Sequence, residues 1–309
     1  MPAEWPPLPY DEWRATRDTL HMYTQVIGKL RLELSPFEPQ WANVALYVTA
    51  RGLTTSPMPV GLRTIDAEFD LIDHELVIRS SAGGVERRPL GGAVAGFYHD
   101  VMRALHRLDV DVAISVLPSE VSNPIPFPDD RTHDTYDAAH ASRFGRVLSM
   151  VDLVTKEHHA GFRGRTTPVQ FFWGAFDLAV FRFSGKSAET PPDADIITRF
   201  GGDAEQICAG WWPGDERAGY AAFYAYAYPT TPGLDEAPVR PPAAAWNTAA
   251  GEFLLPYDAV RSQPDPRKAI LDFYSSTYDA AANLRGWDSD LTHVEAPRRR
   301  SRQAQPSTT

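Results

Sequence analysis

The sequence predicts an α+β fold built from two diverged tandem units, each a mainly antiparallel sheet with flanking helices. Three observations support this class. Residues 19–55 have a loose echo at residues 150–186, and each copy runs from a helical pattern through a basic stretch to a glutamine, aromatics and a strand. Strand patterns follow one another without regular βαβ alternation, which favours antiparallel sheets. A proline-rich segment at residues 118–137 separates the two halves.

Tandem duplication is the simplest explanation of the echo. A copied supersecondary unit needs a partner to bury its apolar face, and two packed units create a cleft, where small-molecule sites tend to form. Chance similarity is the alternative, because the echo contains gaps and few identities. The chain then divides into an N-terminal α+β unit (1–120), a proline-rich connector (121–139), a C-terminal α+β unit (140–290) and a disordered basic tail (291–309).

The N-terminal unit opens with an amphipathic helix followed by strands. Asp11 is a suitable N-cap, and apolar residues recur at helical spacing after it, which predicts a helix over residues 11–28. Residues 43–51 are rich in β-branched and aromatic residues, and residues 66–80 alternate apolar and polar around a turn near Asp73. Both segments are therefore predicted as strands.

A second helix and a final strand complete this unit. Small residues at 80–84 predict a turn, and an apolar stripe from Val94 to Leu108 predicts the helix. The pattern at residues 110–117 predicts a strand.

The C-terminal unit repeats the mixture of helix and strand. A helix is predicted over about residues 140–159, and the last helix is marked by Asp265 as N-cap, Pro266 at its first position and Gly286 at its end. The predicted strands lie near residues 169–183, 207–212, 220–228 and 251–256, with a proline-rich loop at 229–242.

Composition narrows the classes of function. The chain has 309 residues, of which 43% are hydrophobic, enough for about two domains of core. Its net charge of −10 argues against a nucleic-acid partner or an anionic membrane. Cys208 is the single cysteine, so no intramolecular disulfide can form. Without a secretory pattern or a long apolar run, we expect a cytoplasmic protein with no membrane partner. Composition leaves the oligomeric state open.

Two matched arginines suggest an anionic ligand. Arg51 and Arg182 each end a strand pattern within the echoed segments. An arginine fork holds a carboxylate or phosphate through two parallel hydrogen bonds, so the pair predicts a small anionic molecule as ligand. The alternative is that each arginine pairs with a nearby Asp or Glu.

A polar stripe runs along the first helix. Arg17, His21, Gln25 and Lys29 are spaced by four residues and therefore share one helix face. If this face borders the cleft, His21 is a candidate general acid or base, because imidazole titrates near neutrality. The alternative is a solvated helix face.

The end of the connector holds further groups that exchange protons. His133 and Tyr136 lie beside Asp134 and Asp137, and catalytic residues often lie on loops of this kind. The competing interpretation is that Asp134 or Asp137 caps the following helix.

Aromatic residues of the C-terminal unit are candidates for a pocket wall. Trp211 and Tyr224 belong to runs of large amphipathic rings, which either line a ligand site or pack in the core. Asp177 and Glu252 lie just inside apolar strand patterns, where an unpaired charge is costly. For these two carboxylates we expect a salt bridge to Arg182 or Arg261.

Several familiar catalytic signatures are missing from the sequence. It contains no GxGxxG, no P-loop, no GxSxG and no HExxH motif. We therefore expect no organic cofactor and no metal.

Long motifs resemble a bacterial family known as domain of unknown function 5996. They are LHMYTQVIGK, LYVTARGLTTSP, QFFWGAFDLAVFRFSGK, GWWPG and EFLLPYDAVR, and the resemblance extends from about Trp5 to Trp287. The resemblance implies a protein of unassigned activity. It also implies that histidine is common where this chain has Gln40 and Gln170, and His133 lies in a third similar stretch. Glutamine ligates transition metals poorly and does not titrate, so such chemistry is altered or lost here.

We therefore predict an enzyme that binds a small anionic metabolite between the units and acts by proton transfer, as an isomerase, cyclase or lyase. A metal-dependent enzyme with a histidine-based site is one alternative. Another is a noncatalytic binding or assembly protein, whose polar candidates would have internal partners and which would expose an apolar patch. The predicted site comprises His21, His133 and Tyr136 for proton transfer, and Gln25, Lys29, Gln40, Trp41, Arg51, Gln170, Trp173, Arg182, Trp211 and Tyr224 for substrate binding.

Overall fold

The computed structural model describes residues 4–294. Its helices are α1 (Tyr10–Leu34), α2 (Val94–Arg107), α3 (Ala138–Ala160), α4 (Ile196–Gly201), α5 (Tyr257–Arg261) and α6 (Pro266–Leu284), with 3-10 turns at Pro39–Trp41, Phe127–Asp129 and Ser289–Thr292. The strands are β1 (Tyr47–Val48), β2 (Gly52–Thr54), β3 (Met58–Val60), β4 (Arg63–Asp70), β5 (Glu75–Ser80), β6 (Val85–Pro89), β7 (Gln170–Phe172), β8 (Asp177–Ser187), β9 (Ala204–Trp212), β10 (Ala222–Tyr228), β11 (Ala245–Asn247) and β12 (Glu252–Pro256).

Within residues 4–294 the strands form two six-stranded antiparallel sheets, which confirms the predicted α+β class. The first sheet has the order β1-β2-β4-β5-β6, and β3 also pairs with β4. The second has the order β11-β12-β10-β9-β8-β7. Leu46 and Phe171 form a bridge that links the edges of the two sheets.

Helices α2, α3 and α6 follow the sequence signals closely, whereas α1 continues to Leu34, beyond the predicted end at residue 28, and α4 and α5 are not predicted. Asp137 caps α3 and Asp265 caps α6, accepting hydrogen bonds from His140 N and Lys268 N, both 2.9 Å long. The N-cap of α1 is Pro9 and not Asp11, so that prediction is wrong. Asp11 lies in the first turn, where a carboxylate interacts favourably with the helix dipole.

One predicted strand is absent. Residues 110–117 form no strand, although Val110 and Ile114 are buried. The carbonyl of Val116 accepts a hydrogen bond from Phe127 N, 2.9 Å long, so this segment pairs with the connector and not with a sheet. The predicted strand over residues 43–51 is likewise shortened to β1.

Both units contribute to one continuous apolar core. Buried residues of α1, α2 and the first sheet pack in the same cluster as buried residues of α3, α6 and the second sheet. Helices α3 and α6 cover one face of the second sheet. The opposite face of that sheet is therefore left to form a site.

Two further observations concern the ends of the chain and its helices. The disorder predicted from residue 291 is wrong for Leu291 and Thr292, which belong to a 3-10 turn, and Leu291 packs against the core; from position 295 onward the predicted tail lies outside the described residues. No helix in residues 4–294 combines the length and the apolarity needed to cross a bilayer.

Candidate active site

A cleft of about 1060 Å³ lies at the seam between the two units. One wall is the N-terminal half of α1, and a second wall is Glu120 with the connector that follows it, including residues 121–123 and His133. The floor is the helix-free face of the second sheet, where Asp177, Tyr224 and Glu252 are found. Because α1 belongs to the first unit and the sheet to the second, the cleft requires both units.

Strand register places these floor residues on one face. Tyr224 pairs with Gly210 on β9 and with Leu254 on β12, and paired residues share a face. Glu252 lies two residues from Leu254 along the same strand and therefore points to the same side. Gly210 has no side chain, and the ring of Tyr224 lies in the space that a methyl group there would fill.

A histidine–aspartate pair forms part of the connector wall. His133 Nδ1 lies 2.7 Å from Oδ2 of Asp130, a carboxylate that is fully buried. Asp130 also accepts backbone hydrogen bonds from Thr132 and His133, each 3.1 Å long. The hydrogen bond from His133 to Asp130 raises the pKa of His133, and the imidazole is held in one orientation at the cleft.

A buried carboxyl group on the floor is poised to exchange protons. Burial raises the pKa of Asp177 to about 7, although a hydrogen bond from the Tyr224 hydroxyl opposes the shift. Burial also raises the pKa of Glu252 to about 7, and the charge of Arg217 opposes this shift.

The salt bridges predicted for Asp177 and Glu252 are wrong. Arg261 pairs with Asp258, and Arg182 donates to the carbonyl of His158.

A third carboxyl group, that of Glu120, enters from the residue directly before the connector. Burial and the charge of Asp195 raise the pKa of Glu120. The Glu120 carboxyl group lies over Gly174, at the position that a side chain on Gly174 would occupy. The absence of a side chain at Gly174 therefore allows this close approach.

The polar stripe of α1 is buried and not solvated. Arg17, His21, Gln25 and Lys29 are each at most 7% exposed. Arg17 and His21 line the cleft, whereas Gln25 and Lys29 lie deeper in the seam and contact Ser119. The stripe therefore borders the cleft at one end and joins the units at the other.

His21 is held as a neutral side chain. Its Nε2 lies 3.0 Å from the carbonyl oxygens of both Trp173 and Gly174, so this nitrogen carries the hydrogen. Burial, together with the charge of Arg17, lowers the pKa of His21 to about 3. The near-neutral titration expected of His21 is therefore absent, and its Nδ1 is left as a hydrogen-bond acceptor.

Arg17 is the buried arginine of the cleft. It lies over the Phe176 ring at 5.3 Å, and its one ion pair in residues 4–294 is to Asp18 at 3.0 Å. Its Nε has no hydrogen-bond partner among the described residues. This side chain retains donor capacity for a ligand.

The two matched arginines do not reach the cleft. Arg51 forms ion pairs with Asp70 and Asp73 at the edge of the first sheet. Arg182 is buried, donates to the carbonyl of His158 and stacks over Phe162 and Tyr278. Their environments differ, so the expected arginine clamp is not assembled.

The glutamines and tryptophans of the echoed segments connect the two units. Gln40 donates to Asp203 at 2.5 Å, and Trp173 Nε1 donates to the carbonyl of Val44 at 2.9 Å. Gln170 lies 3.3 Å from the Tyr47 hydroxyl. These side chains lie outside the cleft and join the units.

The remaining predicted residues have other surroundings. Trp41 donates to the carbonyl of Ile197 at 3.0 Å, and Tyr136 lies 3.0 Å from Nδ1 of His74. Trp211 is fully buried in the core. Among the predicted residues, His21, His133 and Tyr224 line the cleft.

Within residues 4–294, one group of acidic side chains has the spacing of a metal site. Oxygen atoms of Asp70, Asp73 and Glu75 lie within 4.8 Å of one another. Arg51 already pairs with two of these carboxylates, so an ion-pair network accounts for the cluster.

Sequence reasoning did not identify Asp130, Arg17 or the carboxyl groups of the floor as site residues. The available signal for Asp177 and Glu252 was a charged residue inside an apolar strand pattern. For Asp130 no local pattern existed, because its partner and its burial depend on the folded connector.

The fold and the cleft define a two-sheet α+β protein with a polar cavity at the seam of its units. The chain belongs to the family of unknown function DUF5996, whose model matches residues 5–294. No curated protein and no solved structure matches the chain. Membership agrees with the resemblance found in the sequence and assigns no activity.

Proposed function

We propose that the seam cleft is the active site of an acid–base enzyme that acts on a small anionic metabolite without an organic cofactor. The reaction class is that of an isomerase, cyclase or lyase. One observation carries the proposal: the oriented imidazole of His133 and the buried carboxyl group of Asp177 line the same cleft. A base and an acid on different walls are what stepwise proton transfer requires.

Each role follows from the state of the group. The pKa of Asp177, about 7, leaves a large fraction of the carboxyl group protonated near neutral pH, so Asp177 serves as the acid. Neutral His133, oriented by Asp130, serves as the base. Arg17 replaces Arg51 and Arg182 as the group that holds the anion, and neutral His21 accepts a hydrogen bond from the substrate.

Deuterium incorporation tests the proposal without knowledge of the substrate. The protein is incubated in D₂O with a defined mixture of small carboxylates and phosphate esters, and mass spectrometry records deuterium uptake or conversion. We expect at least one anion to react. His133→Gln and Asp177→Asn should each slow this reaction by about 100-fold or more.

Glu189→Gln is the matched control, since Glu189 is an exposed carboxylate outside the cleft. It should react at the rate of the unmodified protein. The proposal would be overturned if no anion in the mixture reacts, or if the His133 and Asp177 variants react as fast as the unmodified protein.

The cytoplasmic location expected from the sequence is part of the same proposal. The single thiol, Cys208, is buried among the described residues and free. An unpaired thiol of this kind suits a reducing compartment.

An exposed aromatic patch favours a second candidate, a noncatalytic assembly protein. The rings of Phe37, Trp41 and Phe200 contact one another with centroids 5.4–5.8 Å apart, and Phe37 is 55% exposed. Ile196 and Ile197 extend this patch. Large exposed apolar patches mark interaction sites in many proteins.

Light scattering at increasing protein concentration tests the second candidate. An assembly protein should form a defined oligomer that Phe200→Ser dissociates. Leu62→Ser is the control, because Leu62 is an exposed apolar residue in the first unit. A monomer at every concentration would remove this candidate.

A further inference from the structure

Three carboxyl groups of the cleft have no cationic partner in the described part of the chain. Asp177 and Glu252 on the floor and Glu120 directly before the connector form no salt bridge within residues 4–294. The charge of Arg217 lowers the pKa of Glu252, but the Arg217 side chain is 85% exposed and pairs with Asp215. The floor is therefore an acidic surface without a fixed counter-charge.

The surroundings of this acidic surface suit a cation. Asp177 lies beside a small apolar cluster that includes Cys208, Tyr224 and Leu254. Trp212 also lines this part of the cleft. Carboxyl groups beside aromatic rings are a setting in which proteins bind cations.

The wall formed by α1 carries the opposite charge. Arg14 and Arg17 both line the cleft, and each contacts Asp18 at 3.8 Å and 3.0 Å. Arg17 is more than nine-tenths buried, and its Nε is unpartnered among the described residues. One carboxylate shared by two arginines leaves donors for an anionic group of a ligand.

The acidic floor and the arginines of α1 face the same cavity but form no ion pair with each other in the described residues. A dianion would satisfy the arginines and be repelled by the floor, and a simple amine would leave the buried arginine without an anion. We infer that the ligand of the seam cleft is zwitterionic, with an anionic group at Arg17 and a protonated nitrogen at Glu252, beside the neutral acid Asp177. This inference rests on the proposed function, because it names the substrate class of the same site.

Matched probes test the charge pattern by binding alone. The probes are linear ω-aminocarboxylates of increasing chain length, each compared with the carboxylate and the amine of the same length, and binding is measured by saturation-transfer NMR. We expect at least one aminocarboxylate to bind about tenfold or more tightly than both of its matched compounds. Glu252→Gln should reduce this preference, and the affinity for the plain carboxylate should not fall, because the variant removes a negative charge from the floor.

Two variants separate the possible failures. If the carboxylates bind as tightly as the aminocarboxylates at every length, or if no probe binds, the zwitterion inference is overturned. If Arg17→Gln leaves carboxylate binding unchanged, the anion site of the proposed function fails as well. Glu252 is only partly buried, and circular dichroism of each variant confirms that the fold is retained. Binding needs no turnover, so the deuterium experiment remains an independent test of catalysis.

Discussion

Leu46 and Phe171 exchange two backbone hydrogen bonds, each 2.8 Å long, and thereby connect the edges of the two sheets. Side chains next to this bridge add contacts across the same seam. Gln170 donates to the carbonyl of Ala42, and Trp173 donates to the carbonyl of Val44. Because the cleft lies at this seam, its shape depends on contacts that are remote from the proposed chemistry.

The contact between Gly28 of α1 and the Trp173 ring should be sensitive to a single methyl group. A side chain at Gly28 on α1 would occupy the space of the Trp173 indole, which is fixed by its hydrogen bond to Val44. We expect Gly28→Ala to lower the free energy of unfolding by about 1–3 kcal/mol through overpacking. Urea denaturation measures this change.

Gly96→Ala provides the matched control for Gly28→Ala. Gly96 is an exposed residue of α2 with open space around it. Alanine should stabilise α2 there by about 0.5–1 kcal/mol, because it restricts the unfolded chain and favours helix. An increase in stability for both variants would contradict the tight contact at Gly28.

The helices could be predicted from the sequence because their signals are local. Asp265, Pro266 and Gly286 each act within one turn of α6, so a cap and a stop can be recognised without the rest of the fold. The apolar pattern of residues 110–117 is typical of a strand, yet no strand forms there, because a strand also requires a neighbour in a sheet. Its neighbour is the connector.

The candidate site was predictable only in part. The spacing of Arg17 and His21 places them on one helix face, and the structure shows that this face is buried, where the sequence left a solvated face open. The arginines Arg51 and Arg182 occupy equivalent places in the echoed segments, yet one lies at a sheet edge and the other is buried against α3. Equivalent positions in sequence do not fix which side chains meet across a seam.

The raised pKa of Asp177 makes stability depend on pH with a definite sign. Its pKa is about 7 in the folded protein against an ordinary value of 3.8. Between about pH 4 and pH 7 the folded state retains a proton that the unfolded state has released, so the free energy of unfolding falls as the pH rises. Asp177→Asn should therefore stabilise the protein above pH 7 by as much as about 4 kcal/mol, and the gain should vanish near pH 4.

Urea denaturation at several pH values checks the behaviour of Asp177→Asn. Asp193→Asn removes an exposed carboxylate and serves as the control, with little expected change at any pH. A protein whose stability rises steadily from pH 5 to pH 8, and which loses stability on Asp177→Asn, would contradict the assignment.

The hydroxyl of Tyr224 should tune the acidity of Asp177. The hydrogen bond from Tyr224 stabilises the carboxylate and opposes the effect of burial on the Asp177 pKa. Tyr224→Phe should therefore raise the pKa of Asp177 further and cost about 1–3 kcal/mol of stability at alkaline pH, where the carboxylate is charged. Carbon-13 NMR of the carboxyl group measures the pKa directly.

Two further variants test whether the Tyr224 ring position matters. Gly210→Ala should displace the Tyr224 ring and raise the pKa of Asp177 in the same direction, because a methyl group at Gly210 would overlap that ring. Tyr220→Phe removes a hydroxyl from an exposed ring and should leave the pKa of Asp177 unchanged. Equal pKa values in all of these proteins would show that Tyr224 does not act on Asp177.

The pairing of Asp130 with His133 predicts a change in histidine titration. The hydrogen bond to Asp130 raises the pKa of His133 above its ordinary value of 6.5, so protonated His133 stabilises the folded state. This contribution is complete below about pH 6.5 and is lost as the pH rises through the raised pKa. Asp130→Asn retains acceptors for the backbone N–H groups of Thr132 and His133 and removes the negative charge. The pKa of His133 should therefore fall.

Proton–carbon NMR of the imidazole follows this fall in the His133 pKa, and His133→Gln assigns the signal by its disappearance. A His133 pKa that is unaltered by Asp130→Asn would mean that the buried carboxylate only holds the loop, and the base proposed for the cleft would lose its orienting partner.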